Sequence, residues 1–164
     1  MRIERADFEE LAPLSTLLNR YRMANGHPDS LPEAEHYLFV QLSREDALYY
    51  LAWNDATPVG FIQLVPTVRA QTLSSHLILS DCYVDPETVP EGMNPTEVLS
   101  LLVETARAVS SFRGDDSLVG ELSTSSPQVR QALESIFLRQ GFQPCPEARR
   151  FELAVVPALA EHSG

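Results

Sequence analysis

The sequence contains no lysine. All 12 of its cations are arginine, set against 23 Asp and Glu, for a formal charge of -11 over 164 residues. The missing amine excludes any mechanism built on a Schiff-base lysine or on the lysine of a phosphate-cradling Walker loop. A chain this acidic also repels polyanions, so neither nucleic acid nor an anionic membrane surface is an expected partner, and cationic or neutral small molecules are. Cysteine is scarce: Cys82 and Cys145 are far apart in the chain, and two thiols make no disulfide framework, so a reduced, cytoplasmic setting is expected. No run approaches the roughly 18 apolar residues needed to span a bilayer, and the opening MRIERADFEE has no apolar signal core, so neither export nor membrane insertion is expected. His27, His36, His76 and His162 show no metal-ligand spacing among themselves or with the cysteines, and no metal is expected.

What is present suffices for one core. A hydrophobic content of 44 % fits a single domain, expected over residues 1–156 with a loose tail at 157–164. A short strand over 2–5 leads to Asp7 and Glu10, a capping-box spacing that predicts a helix from Phe8, with Leu11, Leu14, Leu17, Leu18 and Tyr21 on its apolar face, a bend at Pro13 and a stop at Gly26. Ser30 and Glu33 repeat the capping signal for a second helix. ALYYLAW, VGFIQLVPTV and SHLILSDCYV then read as three adjacent strands. Asn94 as cap, Pro95 and Glu97 open a long helix through Ser111; SLVGELST is a strand; a last helix over 128–140 stops at Gly141; and ARRFELAV is a closing strand. The pattern is that of an α/β or α+β domain with helices on both faces of a mixed sheet.

That order and three local motifs resemble the GCN5-related N-acetyltransferase family. The motifs are YRMANG at the end of the first helix, GFIQLVPT followed by LILSDCYVDPE on two strands, and ESIFLRQGF on the last helix. The first two are similar to segments of a subgroup that acetylates small-molecule amines. The resemblance covers nearly the whole chain and implies an acyl-CoA N-acyltransferase fold, with a central, mostly antiparallel sheet of six to seven strands, acetyl-CoA as co-substrate, a small amine as acceptor, and a homodimer as a common assembly.

The resemblance also implies a site. The strand ending in Cys82, Tyr83 and Val84 would leave its parallel neighbour and bond the pantetheine arm. The loop and helix start with Gly92, Met93, Asn94 and Thr96 would take the diphosphate on free N–H groups and the helix dipole. In that loop the chain departs from the family pattern: Val89 stands for the cation, Pro90 for a common glycine and Asn94 for the last small residue, with only Gly92 kept. Residues 70–106 hold no cation at all. Arg130 is the best-placed candidate to supply one and Arg139 the second; both are equally read as ordinary exposed helix arginines.

Phe137 occupies the place of the family tyrosine that protonates the leaving thiolate, and a phenyl ring donates no proton. Asp81 and Glu121, near the ends of neighbouring strands, are the carboxylates placed to accept the amine's proton, although Asp81 is equally suited to bonding loop amides. Tyr21 and Arg22 are candidates to line the acceptor pocket, with core packing as the alternative for Tyr21. Cys82 has no adjacent histidine to activate it and reads as a small apolar residue. Two functions follow from these residues: an N-acetyltransferase with direct attack of a small amine on the thioester, or a non-catalytic binding module of the same fold that has lost efficient coenzyme binding. A third possibility, which nothing in the sequence excludes, is an acyl group longer than acetyl.

Overall fold

The computed structural model describes residues 1–145 and 153–155. Strand β1 (Arg2–Ala6) is followed by a 3₁₀ turn (Phe8–Glu10), helices α1 (Leu11–Ala24) and α2 (Leu31–Arg44), and strands β2 (Leu48–Asn54), β3 (Thr57–Arg69) and β4 (Ser74–Val84). Helix α3 (Pro95–Arg113), strand β5 (Ser117–Gly120) and helix α4 (Pro127–Arg139) complete the order. The sheet runs β1-β2-β3-β4-β5; its pairings are antiparallel except β4 with β5, which are parallel. The expected architecture is therefore present, with five strands among the described residues. Of the predicted closing strand over 148–155, residues 148–152 lie outside them, and Leu153–Val155 carry no regular structure. The tail over 157–164 also lies outside.

Local signals set most of the elements. Asp7 and Glu10 form the capping box in both directions, although the first turn they cap is 3₁₀ and the α-helix proper starts at Leu11. Pro13 consequently sits in the first turn of α1, where its missing N–H has no helical partner to lose, rather than at a bend. The Asn94 side chain accepts from the Glu97 N–H at 2.9 Å, as its spacing predicts. Ser30 does not follow the pattern: its side chain makes no capping bond, its own N–H is taken by Asn19 at 3.0 Å, and Glu33 turns to Arg22 at 3.5 Å. Tertiary partners outcompete the local ones there. Pro66, inside β3, is tolerated because β2 ends opposite Leu64 and leaves the β3 edge beyond it without a ladder on that side.

The alternation of the strands feeds two cores. On one face Ile62, Leu64, Leu77, Leu79, Cys82 and Val84 meet Val98, Leu102, Ile136 and Phe137 of α3 and α4. On the other, Tyr49, Leu51 and Phe61 meet Leu14, Leu17, Tyr21 and Leu38 of α1 and α2. Each fully buried leucine contributes about 1.5–3 kcal/mol. These two cores fix α1 and α4 on opposite faces of the sheet, and the site lies between them.

Candidate active site where two strands part

The parallel ladder joins His76–Leu79 of β4 to Ser117–Gly120 of β5 and then stops. The predicted strand over 117–124 is thus only half as long, because the chain beyond Gly120 makes other bonds. Glu121 gives its N–H to the Leu79 carbonyl at 3.0 Å, and Ser123 donates its hydroxyl to the Ser80 carbonyl at 2.6 Å. On its other side β4 stays paired to β3 as far as Val84. Asp85 donates to the Val59 carbonyl, so by the alternation of an antiparallel ladder Tyr83 also bonds towards β3, and the N–H and C=O groups of Cys82 and Val84 face the gap left by β5. Gly60 lets the two strands approach at this end: a Cβ there would lie 2.6 Å from the Tyr83 carbonyl oxygen.

Side chains gather at the same gap from α1. The Tyr21 hydroxyl donates to Asp81 at 2.8 Å and lies 3.4 Å from Ser123, while the Tyr21 ring packs edge-on to Phe61 and tilted against Tyr83. The tyrosine is thus both a core residue and a polar contact of the site. Burial pushes its phenol well above the ordinary range; the Ser123 contact opposes the rise and the Asp81 carboxylate adds to it, so the hydroxyl stays a proton donor. Asn25, one turn further, accepts from the Ser125 N–H at 2.6 Å and the Ser125 hydroxyl at 2.8 Å. The loop after β5 is thereby tied to the end of α1. Arg22 points elsewhere, to Glu33 of α2. Glu121 is exposed beside the gap. Ser123 and Asn25 were not singled out from the sequence; the serine-rich stretch 123–126 and the asparagine within YRMANG were the available signals.

The loop that would meet a diphosphate is built on Asp85. This buried residue bonds the Glu87 N–H at 3.1 Å through its side chain and pairs with Arg20 of α1, so a cation does reach the cation-free stretch, already neutralised. Gly92 adopts φ +85°, a left-handed conformation suited to glycine. Around it, Met93 gives its N–H to Pro90, Asn94 occupies the Glu97 N–H, and Pro95 has none to give. The Thr96 N–H remains without a helical partner. Arg130 is exposed at the start of α4 and donates to the Thr124 carbonyl at 2.8 Å; Arg139 lies at the far end of that helix. The donors of the β4 edge therefore fit the amide groups of a pantetheine arm, whereas in the loop the Met93 and Glu97 N–H groups are taken, those of Gly92, Asn94 and Thr96 have no partner among the described residues, and the one arginine that reaches the loop there is paired.

Phe137 is buried against the end of β5. Its ring lies over Gly120, where a Cβ would be 2.6 Å from Cζ and 2.9 Å from both Cε atoms, and its other neighbour is Phe142 at 4.9 Å between centroids. Cys82 is buried on the α3/α4 face, and burial pushes its thiol well up, so the side chain is an inert apolar group and only its backbone faces the gap. Val84 likewise presents backbone. A cavity of about 950 Å³ lies not at the gap but along the outer side of β5, between Ser110, Leu118, Phe137 and Phe142. No group of three or more His, Cys, Asp or Glu among the described residues is arranged to hold a metal, and no helix there is long and apolar enough to cross a membrane.

No protein-family model matches the chain. An uncharacterized N-acetyltransferase of Bacillus subtilis (strain 168), YhfO, is 28 % identical over 92 residues, which are 56 % of this chain and 62 % of that relative; the match thus spans less than two thirds of the relative's length. Among solved structures, that of a probable acetyltransferase superposes with a TM-score of 0.78 at 24 % identity, covering 96 % of this chain and 99 % of the other. A ribosomal-protein-alanine N-acetyltransferase from Brucella melitensis biovar Abortus 2308 does so with 0.70 at 18 %, covering 93 % and 100 %. The fold is that of the GCN5-related acetyltransferases, and its parallel strands part at the β5 edge of the described sheet.

Proposed function

We propose that the protein is an acetyl-CoA-dependent N-acetyltransferase of the GCN5-related kind acting on a small amine. The observation that carries this reading is the coincidence of the open backbone edge at Cys82 and Val84 with the Asp81 carboxylate held by Tyr21. In this reading the edge groups bind the pantetheine amides and so bring the thioester to the gap. The neutral amine attacks the thioester carbonyl, the C–N bond forms and the C–S bond breaks. The proton of the new N–H centre passes to Asp81, directly or through water, and the thiolate takes a proton from water, since Phe137 has none to give. Such water-borne protonation forgoes a contribution of about 10²- to 10⁴-fold. The surplus of acidic residues favours a cationic acceptor.

A second reading is favoured by the diphosphate loop. With Met93 and Glu97 N–H groups already bonded and Arg20 already paired, the loop suits a binding module that has given up tight coenzyme binding. One calorimetric titration of acetyl-CoA into the protein, followed by thiol release with a panel of polyamines and amino-acid amines, separates them. Saturable binding with amine-dependent thiol release supports the transferase, and no heat at millimolar acetyl-CoA refutes it.

A further inference from the structure

The side-chain alternation of β4 changes phase at one residue. Leu77 and Leu79 face α3 and α4, and so do Cys82 and Val84, which a regular strand does not allow. The register accounts for it: Leu64 pairs with Leu79 and Gln63 with Asp81, so Ser80 is an extra residue without a partner, a β-bulge. Without it Asp81 would follow Leu79 into the apolar core. With it, the carboxylate emerges on the α1 face at Tyr21.

A bulge residue has backbone and side-chain groups that the ladder does not use, and here they are gripped from two sides. The Gln63 amide donates to the Ser80 hydroxyl at 3.1 Å. That amide cannot turn freely, because its carbonyl oxygen accepts from Tyr49 at 2.6 Å and from Tyr37 at 3.2 Å. From the other side the Ser123 hydroxyl takes the Ser80 carbonyl at 2.6 Å. Gln63 belongs to β3 and Ser123 to the loop after β5, so the two contacts join three segments at the place where β4 and β5 separate.

We propose that Gln63 and Ser123 are positioning residues that clamp Ser80 and thereby fix both the direction of Asp81 and the opening of the β4 edge. The inference rests on the transferase reading for its functional consequence, and on the bulge alone for its structural one. Ser123 is exposed, which makes it the safer residue to change.

The test compares the intact protein with Ser123→Ala, Ser123→Thr and Ser80→Ala by acetyl-CoA titration, by the separation of kcat from KM for acetyl-CoA, and by amide hydrogen exchange over residues 79–84 without coenzyme. Ser123→Ala should weaken acetyl-CoA binding about five- to tenfold, the ratio one net hydrogen bond carries, and speed exchange by a similar factor with little change in Tm. Ser123→Thr, which keeps a hydroxyl, should restore both. Ser80→Ala should act in the same direction through the lost Gln63 contact. Unchanged exchange in both alanine variants overturns the clamp. Altered exchange with unchanged acetyl-CoA binding and kinetics overturns its positioning role and leaves the transferase reading standing. If the intact protein binds no acetyl-CoA, the transferase reading falls, and exchange alone decides whether Ser80 is clamped.

Discussion

Replacing Gly120 with alanine places a methyl group 2.6 Å from Cζ of Phe137 and 2.9 Å from both Cε atoms. Carbon atoms in contact prefer about 3.5–4.0 Å, so the ring or the strand must retreat by close to 1 Å. The ring has little room: it is 7 % exposed and lies beside Phe142 in a tilted stack. β5 is the weaker partner, being only four residues long and paired to β4 alone among the described residues. Overpacking of this kind costs about 1–3 kcal/mol. At about 2–4 °C per kcal/mol for a chain of this length, a cost of ~2 kcal/mol lowers Tm by roughly 4–8 °C. Differential scanning calorimetry of Gly120→Ala, Phe137→Leu and the double variant measures the effect. Phe137→Leu alone loses packing, but it frees the space the new methyl needs. The double variant should therefore be at least ~1 kcal/mol more stable than the two single losses added together. Strict additivity, or a Gly120→Ala protein melting with the wild type, refutes the account of glycine at this position.

Stability should also fall at alkaline pH. Tyr21, Tyr49 and Cys82 are all held protonated by burial, with folded pKa values above their ordinary ones of 10.0, 10.0 and 9.0. Below those values neither state has lost the proton and the stability is full; above them the unfolded chain releases protons that the folded chain keeps, and stability declines with rising pH. Urea midpoints measured from pH 7 to 11 should thus begin to fall near pH 9. Cys82→Val should delay the onset towards pH 10, and an onset that does not move counts against the buried thiol as its first cause. Arg20→Ala should destabilise by about 1–3 kcal/mol, because Asp85 has a side chain only 5 % exposed and would lose its cation, while the 47 % exposure of Arg20 keeps the loss below that of a fully buried pair. Asp85→Asn, which retains an oxygen for the Glu87 N–H, should lose less than Asp85→Ala in the same urea series, and equal losses would contradict the turn-building role of that bond.

Features decided within three or four residues were legible in the sequence. The capping pairs Asp7 with Glu10 and Asn94 with Glu97, the glycine stops at Gly26 and Gly141, and the strand and helix order need only local bonds and periodic apolar faces. Composition alone settled the absence of lysine chemistry and located the stretch over 70–106 that has no cation. The same local rules put the start of α2 correctly at Ser30 but not its bonding, since Asn19 of another helix takes its N–H, and they overextended β5, whose last predicted residues Ser123 and Thr124 bond to the Ser80 carbonyl and to the Asn25 side chain instead. Contacts across the fold were beyond them: Tyr21 reaches Asp81 over 60 positions and Arg20 reaches Asp85 over 65. Only the packing of α1 on the sheet decides such pairs, because a helix can present a residue to a strand end wherever that strand lies in the chain. The bulge at Ser80 was equally hidden, since an extra residue in a strand shows itself only against its partner's register. The sequence by itself determined an acidic, lysine-free α/β chain. Tertiary structure decided where β4 parts from β5, which arginine serves the acidic loop, and that Asp81 meets Tyr21 at the gap.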